Sequence, residues 1–187
     1  TVIVLLYILS FRSFNERVSP FNKEHVSILK GVMAMSIVAF HLSYQTDDWL
    51  FMFSSWGAPV VSIFYFISGY GLAFNYRARG NEYLSHFFKH RILGNLILPF
   101  LLVWIVNRIV SGNISMSLLM HGETTLPYSW YVFSILLFYI LFYMIAAKRN
   151  VVIISFLCVF TYIVLTVSLS YERCWYISAL AFPLGIF

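Results

Sequence analysis

The sequence predicts an all-α protein, a polytopic transmembrane helix bundle, on three observations. First, 61% of its 187 residues are hydrophobic and only 10% are charged, whereas soluble domains are about 45–50% apolar and about 25% charged. Second, the apolar residues fall into runs of about 18–20, the length a helix needs to cross a hydrocarbon core. Third, these runs do not alternate apolar with polar side chains, which excludes the short strands of a membrane barrel. A net charge of +5 would suggest nucleic acid in a soluble chain. In a chain this apolar, the basic residues belong at the cytoplasmic face of a bilayer, so the expected partner is lipid and not nucleic acid.

The chain opens in the run TVIVLLYILSF and closes in WYISALAFPLGIF. Each is shorter than a span. The sequence therefore reads as five complete spans between two truncated end spans, a single integral-membrane domain over 1–187 cut at both ends. The complete spans are 27–44, 57–76, 92–110, 128–147 and 151–169, each about 27–30 Å long as a helix.

The loops fix an expected orientation. Arg12, Arg17 and Lys23 precede the first complete span, and Lys30 lies just inside it. Arg77, Arg79, Lys89 and Arg91 fill the connection between the second and third, and Lys148 and Arg149 the turn between the fourth and fifth. The alternate connections are poor in basic residues, with Arg108 at one edge and Arg173 in the last. The positive-inside rule then places 12–26, 77–91 and 148–150 in the cytoplasm, with Asp47, Asp48 and Glu123 outside. A cleaved signal peptide would leave Arg12 outside, so the opening run is expected to be a true span. Cys158 and Cys174 show neither metal-ligand spacing nor a disulfide framework; they read as small packing residues, and no metal is expected.

Few groups inside the spans can carry chemistry. His41 sits in the outer half of the first complete span, and Lys30 at its inner end. Eleven positions at about 100° each make three turns and about 20°, so both side chains share one helix face, about 16 Å apart along the axis. Ionisable groups within a membrane are costly and face polar interiors. His41 reads either as a structural histidine bonded to a neighbouring helix or as a general base. In the next span Ser68, Gly71 and Asn75 fall at i, i+3 and i+7, one small polar face, and Gly69 and Gly71 permit close helix approach. The stretch FISG lacks the Gly-x-Ser-Gly of rhomboid-type proteases, with Phe66 at the first glycine, so Ser68 is a poor nucleophile candidate. Lys89, His90 and Arg91 stand at the inner entrance of the third span, with Asn95 one turn on. Pro99 removes the helix bond to the Asn95 carbonyl and predicts a kink. The basic entrance reads either as ordinary anchoring or as an anion site, since an Arg fork suits phosphate. Trp130 and Tyr131 read as an interfacial aromatic belt, and His121 and Glu123 as solvated loop residues.

The order of these motifs resembles the acyltransferase 3 family. LKGVMAMSIVAFHLSY is similar to its first signature helix, with a basic residue, a glycine, small residues and then a histidine. GAPVVSIFYFISGYGLAF resembles its next helix, FFKHRILGNLILPFLLV its basic entry into a helix ending at Pro, and SWYVFSILLFYILFY and CWYISALAFPLGIF its later helices. The resemblance covers about residues 27–187. It implies an integral membrane enzyme of the bacterial inner membrane that moves an acyl group, usually acetyl from acetyl-CoA, onto a sugar hydroxyl of a surface polysaccharide, lipopolysaccharide or peptidoglycan. It implies that His41 is the essential histidine and that Arg91, with Lys89, meets the CoA phosphates, with Lys30 at the same mouth. Ser68, Asn75 and Asn95 would line the path. The family's Arg-x-x-Arg is not kept, because Gly94 stands three positions after Arg91. The rival readings are a transporter or channel fragment, with His41 and Asn107 along a polar pathway, and a structural membrane subunit.

Overall fold

The computed structural model describes residues 23–44, 49–111 and 129–187. Among these residues the chain forms only helices and turns. The opening run, Arg12, Arg17, Asp47, Asp48, His121 and Glu123 lie outside them. Helix α1 spans Lys23–Ser43, α2 Gly57–Arg79, α3 Asn81–Ser85, α4 Leu98–Ser111, α5 Trp130–Ile145, α6 Val151–Ser168 and α7 Ala181–Ile186. A π-helical segment, Phe88–Ile97, leads into α4, and short 3₁₀ turns lie at Trp49–Phe53 and Arg173–Trp175.

Four helices are long and apolar enough to cross a membrane: α1, α2, the π segment continued by α4, and α6. The expected fourth complete span is helical only over the 16 residues of α5. Its end is set by the turn around Lys148, whose N–H bonds the Ile145 carbonyl at 2.8 Å. The expected closing half-span opens in turns over 176–180 and ends in the short helix α7.

Local chemistry explains the other boundaries. α2 runs past the expected end at 76 because nothing stops it before Gly80. That glycine adopts a φ of 55° and gives its N–H to the Tyr76 carbonyl at 2.7 Å, a conformation open to glycine and strained for other residues. The kink expected before Pro99 takes the form of the π segment. Proline offers no N–H, and the chain re-pairs its carbonyls one residue further on, so that Leu98 N–H bonds the Leu93 carbonyl.

The core is aromatic. Phe138 of α5 lies 5.3 Å from the Tyr65 ring of α2, 5.3 Å from Tyr162 of α6 and 5.1 Å from Phe182 of α7, so one side chain ties four helices together. Aromatic pairs add about 0.5–1.5 kcal/mol each beyond the area they bury. The seam between α2 and α7 is closer still. A Cβ at Gly69 would strike the Phe182 carbonyl oxygen, and one at Gly185 the Phe66 carbonyl oxygen. The backbones touch there, as small residues allow in membrane helices. Gly71, expected to share this role, faces open space among the described residues. Away from the core the helices present apolar side chains outward: Ile109 is 77% exposed and Val110 80%, a surface suited to lipid.

Candidate functional site

Two places in the bundle gather groups capable of chemistry, one at each end. The first surrounds His41, in the last turn of α1. The Phe40 ring is 5.0 Å from the imidazole and lies against Gly57, where a Cβ would stand 2.5 Å from it. That glycine lets the end of α1 approach the start of α2. A cavity of about 860 Å³ opens beside them, within the size range of small-ligand sites. Its walls include His41 from α1 and Tyr44 just past its end, Phe64 from α2, Trp130 and Tyr131 from α5, and Glu172–Trp175 with Ser178 from the segment between α6 and α7.

That last wall is pinned from within. Tyr162 O–H donates to the Trp175 carbonyl at 2.9 Å. The hydroxyl of Ser134 lies 3.0 Å from the same Tyr162 oxygen. A phenol carries one proton, already given to Trp175, so Ser134 is the donor here. Ser178 O–H donates to the Ala58 carbonyl at 2.9 Å, joining the wall to the start of α2. The Cys174 thiol donates to a Glu172 carboxylate oxygen at 3.6 Å. Burial, and then the Glu172 charge, push that thiol up to about 11, so it stays protonated and unreactive near neutral pH.

The second place lies at the opposite end. The Arg91 Nε–H donates to the Tyr83 hydroxyl at 3.1 Å. Tyr83 stands edge-on to Phe87, 5.7 Å between centroids, and Phe87 is buried. Burial raises the Tyr83 phenol, and the Arg91 charge beside it pulls the other way, so the hydroxyl is neutral and free to accept. Lys30 of α1 comes close enough to Arg91 for the two charges to repel. Among the described residues no carboxylate pairs with either cation.

The site residues expected from sequence thus divide. His41 lines the cavity, while Lys30 and Arg91 lie at the other end, within range of each other's charge. Ser68 lies beside the phenol of Tyr131, a wall residue. Asn75 turns back on its own helix and donates to the Gly71 carbonyl. Lys89 and Asn95 are exposed on the π segment. Three contributions were not foreseen: Tyr83 as the partner of Arg91, Tyr131 and Trp130 as cavity walls rather than belt residues alone, and the whole 172–178 wall. The run ERCWYIS did carry a signal, since charged, thiol and indole groups crowd into a few residues beside an apolar run. Comparison with family models, curated proteins and solved structures finds no match for this chain.

Proposed function

We propose that this chain is part of a membrane O-acyltransferase, moving an acyl group, acetyl in the first instance, from cytoplasmic acyl-CoA to a hydroxyl of a cell-surface sugar. The observation that carries the reading is the division of labour along α1: a cationic mouth at Lys30 and Arg91, and an imidazole in a ligand-sized cavity about 16 Å farther along the axis. In this reading the bundle sits in a bacterial inner membrane with α5 as the fourth of five complete spans. Residues 77–91 and 148–150 face the cytoplasm, and the cavity faces outward.

The chemistry follows from the two ends. Phosphates of the donor sit on Arg91 and Lys30, and the thioester reaches outward along α1. The acceptor sugar lies against the aromatic faces of Trp130, Tyr131 and Trp175. His41 takes the proton of the attacking hydroxyl as its oxygen bonds the thioester carbonyl carbon. The C–S bond breaks, and the proton passes from His41 to the departing thiolate. General base catalysis of this kind contributes about 10²–10⁴-fold, and alignment of the two substrates the remainder.

The test uses the whole protein in vesicles with radiolabelled acetyl-CoA and a glycan acceptor. His41→Ala is expected to lower transfer by about 10²–10⁴-fold and to leave CoA binding intact. Arg91→Ala is expected to weaken CoA binding. A His41→Ala protein of full activity, or a wild type that neither binds CoA nor transfers label, would overturn the reading.

A further inference from the structure

We propose that Tyr83 is a positioning residue for a phosphate-ester site at Arg91, aiming the guanidinium by taking up its Nε–H. The assignment of that phosphate to an acyl-CoA donor rests on the proposed function; the aiming itself rests on the geometry alone.

A guanidinium can grip a phosphate bidentately along two edges, one using Nε and one terminal nitrogen, the other using both terminal nitrogens. The 3.1 Å bond to Tyr83 occupies the Nε–H. Only the outer edge then remains for a ligand. Tyr83 can impose that choice because its own place is fixed. Its ring packs on Phe87, which in turn meets Tyr139, Phe142 and Tyr143 of α5 at 6.2, 6.3 and 5.7 Å. Arg91 itself rides on the π segment, an irregularity that often marks functional sites. The phenol thus registers the outer edge of Arg91 to the packed core rather than to its own winding.

The charges indicate what that edge meets. Lys30 and Arg91 come from different helices, repel each other and have no carboxylate partner among the described residues. Arg91, a planar fork with no carboxylate partner among the described residues, matches a pair of phosphate oxygens, and Lys30 adds positive charge at the same end. Acyl-CoA supplies such groups, and so does an anionic phospholipid headgroup. Their shared chemistry is the phosphate ester.

The experiment places the whole protein in nanodiscs of zwitterionic lipid and measures CoA binding at equilibrium. A second arm measures retention of added phosphatidic acid by native mass spectrometry. Tyr83→Phe is expected to weaken phosphate-ester binding roughly 5–20-fold, the loss of one charge-assisted hydrogen bond. Arg91→Lys, which keeps the charge and lacks the fork, is expected to lose at least as much. The double variant is expected to lose no more than Arg91→Lys alone, because a lysine has no Nε–H for Tyr83 to hold. Lys148→Ala, a cation at the same end, is expected to change binding less than about twofold. If wild type binds no CoA but retains phosphatidic acid in a Tyr83-dependent way, the positioning role stands on a lipid site and the donor reading fails. If wild type binds neither ester, if Tyr83→Phe binds as wild type does, or if Arg91→Lys binds as wild type does, the positioning role is overturned.

Discussion

The His41 end and the Arg91 end of the bundle are built in different ways. At the His41 end the groups that face the cavity come from four distant parts of the chain, and the irregular part of the wall, 172–178, is held at several points: Tyr162 on the Trp175 carbonyl, Ser178 on the Ala58 carbonyl, and the glycine seam under α7. At the Arg91 end the essentials lie within nine residues, Tyr83 to Arg91, with Lys30 added from α1, and one hydrogen bond orients the cation. In the proposed function the cavity takes a neutral, hydroxyl-rich ligand, which needs shape, and shape needs many fixed walls. A site for a phosphate needs charge and one direction, which a single fork supplies.

Breaking the seam should separate the two ends most sharply. Gly69→Val puts branched carbon into the Phe182 carbonyl, and overpacking of this kind costs on the order of 3 kcal/mol. Thermal unfolding in detergent is expected to fall accordingly. In the protein that remains folded, acceptor-dependent transfer is expected to drop while CoA binding at Arg91 holds. Equal loss at both ends would show that the ends are not independently supported.

A gentler cut removes one pin. Tyr162→Phe leaves the Trp175 carbonyl and the Ser134 hydroxyl without their partner, at a cost of about 1–3 kcal/mol. The expected signature is a higher KM for the acceptor, by about tenfold, with CoA affinity unchanged. An unchanged acceptor KM would mean that the wall does not touch the acceptor.

The smallest effect is a probe of the wall's electrostatics. With the Cys174 thiol at about 11, about one molecule in a thousand is thiolate at pH 8. Alkylation by iodoacetamide, followed in a Cys158→Ser background, is expected to be slow there and to rise about tenfold per pH unit until the thiol titrates. Glu172→Gln removes a nearby negative charge, lowers the thiol's pKa and is expected to speed the reaction at fixed pH. A rate insensitive to Glu172 would detach that carboxylate from the thiol.

The legible and illegible parts of the molecule differ in range. Helices α1, α2 and α6 follow from apolar runs, a local signal; the stop of α2 at Gly80 does not, because hydropathy ends the run at 76 while the helix continues to a glycine with positive φ. The alignment of Lys30 with His41 is likewise local, fixed by the helix repeat. What the repeat cannot give is a contact such as Ser178 with Ala58, 120 residues apart, or the turn of Asn75 onto its own backbone. Residues 175–187 are apolar enough to read as part of a span, yet Gly185 meeting Phe66 draws their end into a short helix against α2. The pairing of Tyr83 with Arg91 lay close in sequence, but a tyrosine eight residues from an arginine is too common a pattern to single out.

The π segment has a consequence for kinship between chains. An i→i+5 winding accommodates one residue more per turn than the α-helix around it wants, so Phe88–Ile97 behaves as if it had absorbed an insertion. A relative lacking one residue here would wind smoothly into α4. Every side chain from Leu98 onward would then swing by about 100° around the axis, and a different stripe of that helix would meet α5. A single-codon deletion in this stretch would thus re-face an entire span while leaving its hydropathy profile untouched.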